Sequence, residues 1–128
     1  MTEYQPGVCN IGTVERRRRR LAGLGSFVVA AAVVVAVAAG AIPTTTLWGA
    51  VPFVFGGWIG VLQDRFNFCV AFGALARYDL SGSGGASGSV VEAEAVSADR
   101  RKALKILLLS AAATALTALP LVVLGGAL

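Results

Sequence analysis

All eleven Lys and Arg residues of this chain fall on one side of a set of long apolar runs. Arg16, Arg17, Arg18, Arg19 and Arg20 precede the first run, and Arg65, Arg77, Arg100, Arg101, Lys102 and Lys105 lie between the second and the third. The connection between the first two runs and the tail after the last carry no basic residue. The acidic residues Glu3, Glu15, Asp64, Asp79, Glu92, Glu94 and Asp99 share the basic side, so one whole face of the molecule lacks a charged side chain. Such a face is either in lipid or beyond it. Only 14% of the residues are charged, against roughly a quarter in a soluble domain, and the chain is read as an integral membrane protein.

The first span is placed at 21–41, an uncharged stretch rich in Ala and Val. As a helix it would run ~31 Å, the thickness of a bilayer's hydrocarbon core. Preceded by an arginine run, it superficially resembles a twin-arginine signal, but it exceeds the ~7–15 residues of a signal's apolar region. A short uncharged connection then forces a hairpin with a second span at about 47–62. Pro52 is expected to kink that span, because its missing N–H removes a helical hydrogen bond. Trp48 and Trp58 are placed as interfacial anchors. Gly56 and Gly60 form a G-x-x-x-G pair for helix packing, within the chain or between copies.

The next apolar stretch, at about 64–77, is too short to cross a bilayer. It is expected to be an interfacial or re-entrant helix, with a continuation of the second span as the alternative. A Gly/Ser-rich linker at 81–99 follows, and a third transmembrane helix occupies 100–128, where Ser110, Thr114 and Ala118 form a small-residue stripe. The expected fold is thus all-α: a transmembrane helical hairpin preceded by a cytoplasmic segment at 1–20, a short interfacial helix, a flexible linker, and a third transmembrane helix with a short outer tail.

The charge asymmetry sets the orientation. Basic residues flanking spans stay in the cytoplasm, since an Arg at mid-bilayer costs ~2.5–3.5 kcal/mol on insertion scales. The N-terminus is expected inside and the C-terminus outside the cell membrane. The arginine run, Arg16 to Arg20, serves as topology determinant and as a contact for anionic headgroups. A nucleic-acid partner is not expected, because the cations crowd helix ends instead of spreading among aromatics on a folded face. The expected partners are the lipid bilayer and either further copies of the chain or a larger membrane complex.

Chemistry-bearing residues are few. The chain has no histidine, and it has no Ser-His-Asp set, H-E-x-x-H motif or phosphate-binding glycine loop. No cofactor and no catalytic residue are expected. Two groups stand out. Cys9 and Cys69 both fall on the cytoplasmic side, where the hairpin could bring them together. One reading is a dithiol redox pair, or half of a tetrahedral metal site completed by a second protomer; the other is two reduced structural cysteines. Gln63, Asp64, Arg65 and Asn67, with Asn10 opposite, form a polar cluster that is either a small interfacial site or a tether for the N-terminal segment.

Cys9-Asn10-Ile11-Gly12, Pro52-Phe53, and Gly60 to Arg65 followed by Phe68-Cys69-Val70 resemble a group of small prokaryotic multi-pass membrane proteins. Those carry a CNIG tetrapeptide and a Q-x-R-x-x-x-C element. The resemblance covers roughly 9–77 and, more loosely, Arg100-Arg101; the Gly/Ser linker falls outside it. It implies a joint role for Cys9 and Cys69 and no substrate. The expectation is a non-enzymatic structural, accessory or homo-oligomeric membrane component, with a thiol site as the alternative.

Overall fold

The computed structural model describes residues 4–81 and 84–127, without the side chains of 126 and 127. The first three residues, the middle of the Gly/Ser linker and the end of the expected outer tail lie outside the described residues. The structure is mostly helical, at 72%. Helix α1 is Thr13–Ala38, a 3-10 segment Thr44–Ala50 leads into α2, Val51–Arg65, and a short α3 is Val70–Ala74. Strands β1, Arg77–Asp79, and β2, Ser87–Ser89, precede α4, Ala93–Ala127. Three stretches, Thr13–Ala38, Thr44–Arg65 and Ala93–Gly125, are long and apolar enough to cross a membrane.

Helix α1 starts eight residues before the expected span at Leu21, so the arginine run is helical. Arginine is a good helix former. Glu15 adds ion pairs to Arg18 at 2.9 Å and Arg19 at 3.2 Å, one turn further on. The helix ends earlier than expected because Gly40 takes a positive φ of 77°. Its N–H donates to Val37 O and that of Ala41 to Ala36 O, which satisfies two terminal carbonyls.

Pro52 does not kink the second span. It sits in the first turn of α2, after the 3-10 segment, where no helical N–H bond is required of it. Helices α1 and α2 then meet backbone to backbone. A Cβ on Gly60 would lie 2.6 Å from Arg19 O, and one on Gly23 would lie 2.8 Å from Gly57 O. Gly57 also receives the Phe27 ring, and Gly56 meets Ser26 Oγ. The G-x-x-x-G pair therefore faces α1 of its own chain.

Along α4 a single face is buried: Ala95, Asp99, Ala103, Ile106, Ser110, Thr114 and Ala118. Ser110 and Thr114 return their hydroxyl protons to the carbonyls four residues back, Ile106 O and Ser110 O, so neither brings an unmet donor into the apolar interior. Trp58 is a bundle residue and not an interfacial anchor. Its ring packs edge-on against Phe27, and its Nε1–H donates to Thr117 Oγ1 at 3.1 Å. Trp48, 62% exposed, keeps a peripheral position. Large apolar side chains such as Val28, Val35, Leu116 and Val123 stand outward on the spans. Contiguous exposed apolar surface of that kind suits hydrocarbon and not water.

Two elements depart from the sequence reading at the charged end. The interfacial helix is cut to five residues, because Asn67 at φ 55° and Ala76 at φ 57° break the backbone on either side of it. The linker is not wholly extended coil. Arg77, Tyr78 and Asp79 pair antiparallel with Ser89, Gly88 and Ser87, and α4 begins at Ala93, about two turns before the expected start.

A polar clamp at the basic end of the bundle

The N-terminal segment enters through a tight turn at Pro6-Gly7, where Gly7 has φ 68°. Gln5 O accepts from the N–H groups of Val8 and Cys9, and Gln5 N–H donates to Cys9 O. The chain then runs extended beside β1, with Ile11 bridged parallel to Asp79. Asp79 N–H donates to Asn10 O at 2.8 Å, and Gly12 N–H donates to Asp79 O at 3.2 Å. The segment is thereby fastened to β1 by a single parallel bridge. Cys9, Asn10, Ile11 and Gly12 are all buried.

Asn10 fastens this segment to the hairpin. Its Nδ2 donates to Cys69 O at 3.1 Å, its Oδ1 accepts from Cys69 N–H at 2.7 Å, and its backbone N–H donates to Asn67 O at 3.1 Å. The side-chain amide thus stands in for a neighbouring strand at Cys69. Gln63 works on the same corner from α2: its Oε1 accepts from Val70 N–H at 2.9 Å and caps α3. Asp64 ties α2 to the arginine run, accepting from Arg16 Nε at 3.2 Å and pairing with Arg20 at 3.6 Å. Arg65 is exposed, and among the described residues Asn67 Oδ1 is buried with no partner. Arg17 is exposed as well.

The two cysteines do not form a joint site. Both are buried free thiols, but they are not near each other. Cys9 Sγ donates to Ile11 O at 3.3 Å, whereas Cys69 Sγ accepts from Arg19 Nη2 at 3.3 Å. The bonds that join the motifs run from the Asn10 side chain to the Cys69 backbone, so the thiols are turned to separate surroundings. Among the described residues no three His, Cys, Asp or Glu side chains gather as a metal site. The Arg19 contact escaped the sequence reading because it is made across fifty positions of chain.

Asp99 also escaped it. It lies inside α4, fully buried, and reaches the N-terminal segment. It accepts from Tyr4 OH at 2.5 Å and from Gly7 N–H at 2.7 Å. Its one sequence signal is that it is the acidic residue opening a basic stretch. Tyr4 stacks on Tyr78 at 4.8 Å between ring centroids. Burial, and then the hydrogen bond and charge of Asp99, push the Tyr4 phenol well above its ordinary range. Asp79 is held below the usual carboxylate range, chiefly by the Ser81 hydroxyl and N–H that donate to it.

The Tyr4 shift has a measurable consequence. The folded state favours the neutral phenol, so docking is fully present below the free phenol's pKa of ~10 and is lost as pH rises through the higher folded value. Ultraviolet titration is expected to show a tyrosine component ionising well above pH ~10 that disappears in Tyr4→Phe. An unchanged titration curve in the variant would count against the buried Tyr4–Asp99 contact.

Comparison with protein-family models, curated proteins and solved structures yields no match to this chain.

Proposed function

We propose that this chain is a non-catalytic component of the cell membrane. Three spans are locked at their charged ends by residues 4–12, with the basic end in the cytoplasm and the C-terminus outside. The molecule acts through the surface this arrangement fixes, as a homo-oligomer or as an accessory subunit of a larger membrane complex. The observation that carries the reading is the use made of Asn10: both polar atoms of its buried side chain are spent on the Cys69 backbone. Asp99 likewise spends both oxygens on Tyr4 and Gly7, and Gln63 spends its Oε1 on the Val70 backbone. Polar groups committed in this way fasten a structure and are not available to a substrate. The segregation of all eleven cations supports the orientation.

Paired fusions test the topology. Alkaline phosphatase at the C-terminus is expected to be active and a cytoplasmic fluorescent reporter there dark; the reverse pattern would sink the orientation. Light scattering of the chain in mild detergent tests assembly. The expected particle is a defined multiple of the 13.0 kDa chain or a fixed complex with another membrane protein, lost in Asn10→Ala. A monodisperse wild-type monomer would overturn the assembly.

A further inference from the structure

We infer that Lys102, Lys105 and Phe66 form a site for the phosphate of an anionic phospholipid at the cytoplasmic rim of the α2–α4 contact. Two ammonium groups approach one aromatic ring, Lys102 Nζ at 4.5 Å and Lys105 Nζ at 5.6 Å from the Phe66 centroid. They lie one helical turn apart, where like charges repel. Among the described residues neither has a carboxylate within ion-pair reach, and the ion pairs there are made by Arg16, Arg18, Arg19 and Arg20. The nearby acids are already engaged: Asp64 with Arg16 and Arg20, and Asp99 with Tyr4 and Gly7. The ring attracts the cations through its face but supplies no counter-charge. A phosphate oxygen cluster between the ammoniums would supply one.

The surroundings select a lipid over a free phosphate. The distance along α4 from Lys105 to Gly125 is ~30 Å of helix, the depth of a bilayer's hydrocarbon core. With the far end of α4 at one boundary, Lys105 stands at headgroup level on the other. One turn deeper on the same side of the helix, Leu108 and Leu109 are 61% and 41% exposed. Phosphate above and acyl chain below is the order in which an inserted phospholipid meets this surface. Lysine, a flexible point charge, fits a headgroup whose orientation is not fixed. This inference rests on the reading of the long helices as membrane spans.

The test uses the full chain in detergent, with native mass spectrometry of lipid retention. Phosphatidylglycerol and phosphatidylcholine are offered in turn, with glycerol phosphate as the headgroup lacking chains. Phosphatidylglycerol is expected to be retained over phosphatidylcholine, and Lys102→Gln/Lys105→Gln to weaken that retention about thirty-fold. Lys102→Arg/Lys105→Arg should keep it. So should Arg77→Gln/Arg100→Gln, which removes the same charge from exposed positions outside the arginine run. Equal retention of the two lipids, or equal loss in the Arg77/Arg100 variant, would overturn the site and leave the membrane reading standing. Glycerol phosphate binding as tightly as the lipid would overturn the lipid as its occupant. A chain that floats free of phosphatidylglycerol vesicles after detergent removal would overturn the site and the spans together.

Discussion

Gly60→Ala is expected to destabilise the bundle by ~2 kcal/mol or more, although alanine is the better helix former. Two effects oppose each other. Replacing a helical glycine by alanine favours the helix by ~1 kcal/mol. The added Cβ, however, would lie 2.6 Å from Arg19 O and 2.7 Å from Gly23 Cα. These are backbone atoms of a helix and cannot rotate away, so α1 and α2 must part along their contact. Overpacking of this kind costs ~1–3 kcal/mol even where side chains can adjust. In lipid, close helix packing is itself the main attraction, because hydrocarbon tails compete equally for any apolar surface. The separation therefore also removes the dispersion contacts of Gly23, Gly57 and Phe27. Gly25 is the internal control, since a Cβ there meets nothing within 4 Å. Unfolding in mixed micelles of increasing dodecyl sulfate, followed by Trp58 fluorescence, is expected to show an earlier transition for Gly60→Ala and none for Gly25→Ala. Matching midpoints for the two variants would mean that the α1–α2 contact is looser than its geometry states.

The contrast between Gly56 and Gly60, visible in the sequence as a pair, and Gly57, which no spacing sets apart, marks what the sequence discloses. An uncharged run of span length signals lipid by itself, because each residue contributes its transfer energy independently of its neighbours. The division into three long apolar helices was legible for that reason, and so was the inward face of Ser110, Thr114 and Ala118. Which glycine meets which carbonyl depends on the relative rotation of two helices, and no single run contains it. Pro52 misled for a related reason: proline terminates or begins a helix according to where the preceding turn falls. Here a 3-10 segment places it at the start of α2. The Gly/Ser stretch concealed a β pairing in which Gly88 leaves room for the Tyr78 ring opposite it. At the clamp, the residues Asn10, Gln63 and Asp64 were legible as polar groups beside a span. The pairing of Asp64 with the arginine run was legible too, and Arg16 and Arg20 make it. The partners of Asn10 and Gln63 were not, since they are backbone groups of Cys69 and Val70, which side-chain chemistry does not mark. The cysteines drew attention because thiols are rare and chemically conspicuous, yet the backbone amide of Cys69, invisible in any motif, makes the contact that joins the segments.

Asn10→Ala is expected to have an effect of comparable size at the other end of the molecule, and of a different kind. The substitution removes few apolar atoms. It leaves the N–H of Cys69 buried without a partner, and an unmet buried polar group costs ~1–3 kcal/mol; Cys69 O keeps the Gly73 N–H at 2.9 Å. Together with the lost bond from Asn10 Nδ2 to Cys69 O, this puts the loss at roughly 2–3 kcal/mol, enough to release a segment of nine residues held by a limited set of bonds. Release would uncover the Cys69 thiol, 2% exposed in the clamped state, and Asp99 would have to lose Tyr4 and Gly7 or be rehydrated. Amide hydrogen exchange at residues 4–12 and the rate of Cys69 alkylation in a Cys9→Ser background should therefore rise together in Asn10→Ala. Asn10→Asp separates the two bonds. Its carboxylate can still accept from Cys69 N–H, but it has no proton for Cys69 O and sets two acceptors against each other. That variant should also open, so a negative charge of nearly identical shape should not rescue the clamp. If Asn10→Asp remained as protected as the wild type, the donor half of the amide would carry none of the fastening. The segment would then be held by Ile11 burial and the strand bonds to Asp79 instead.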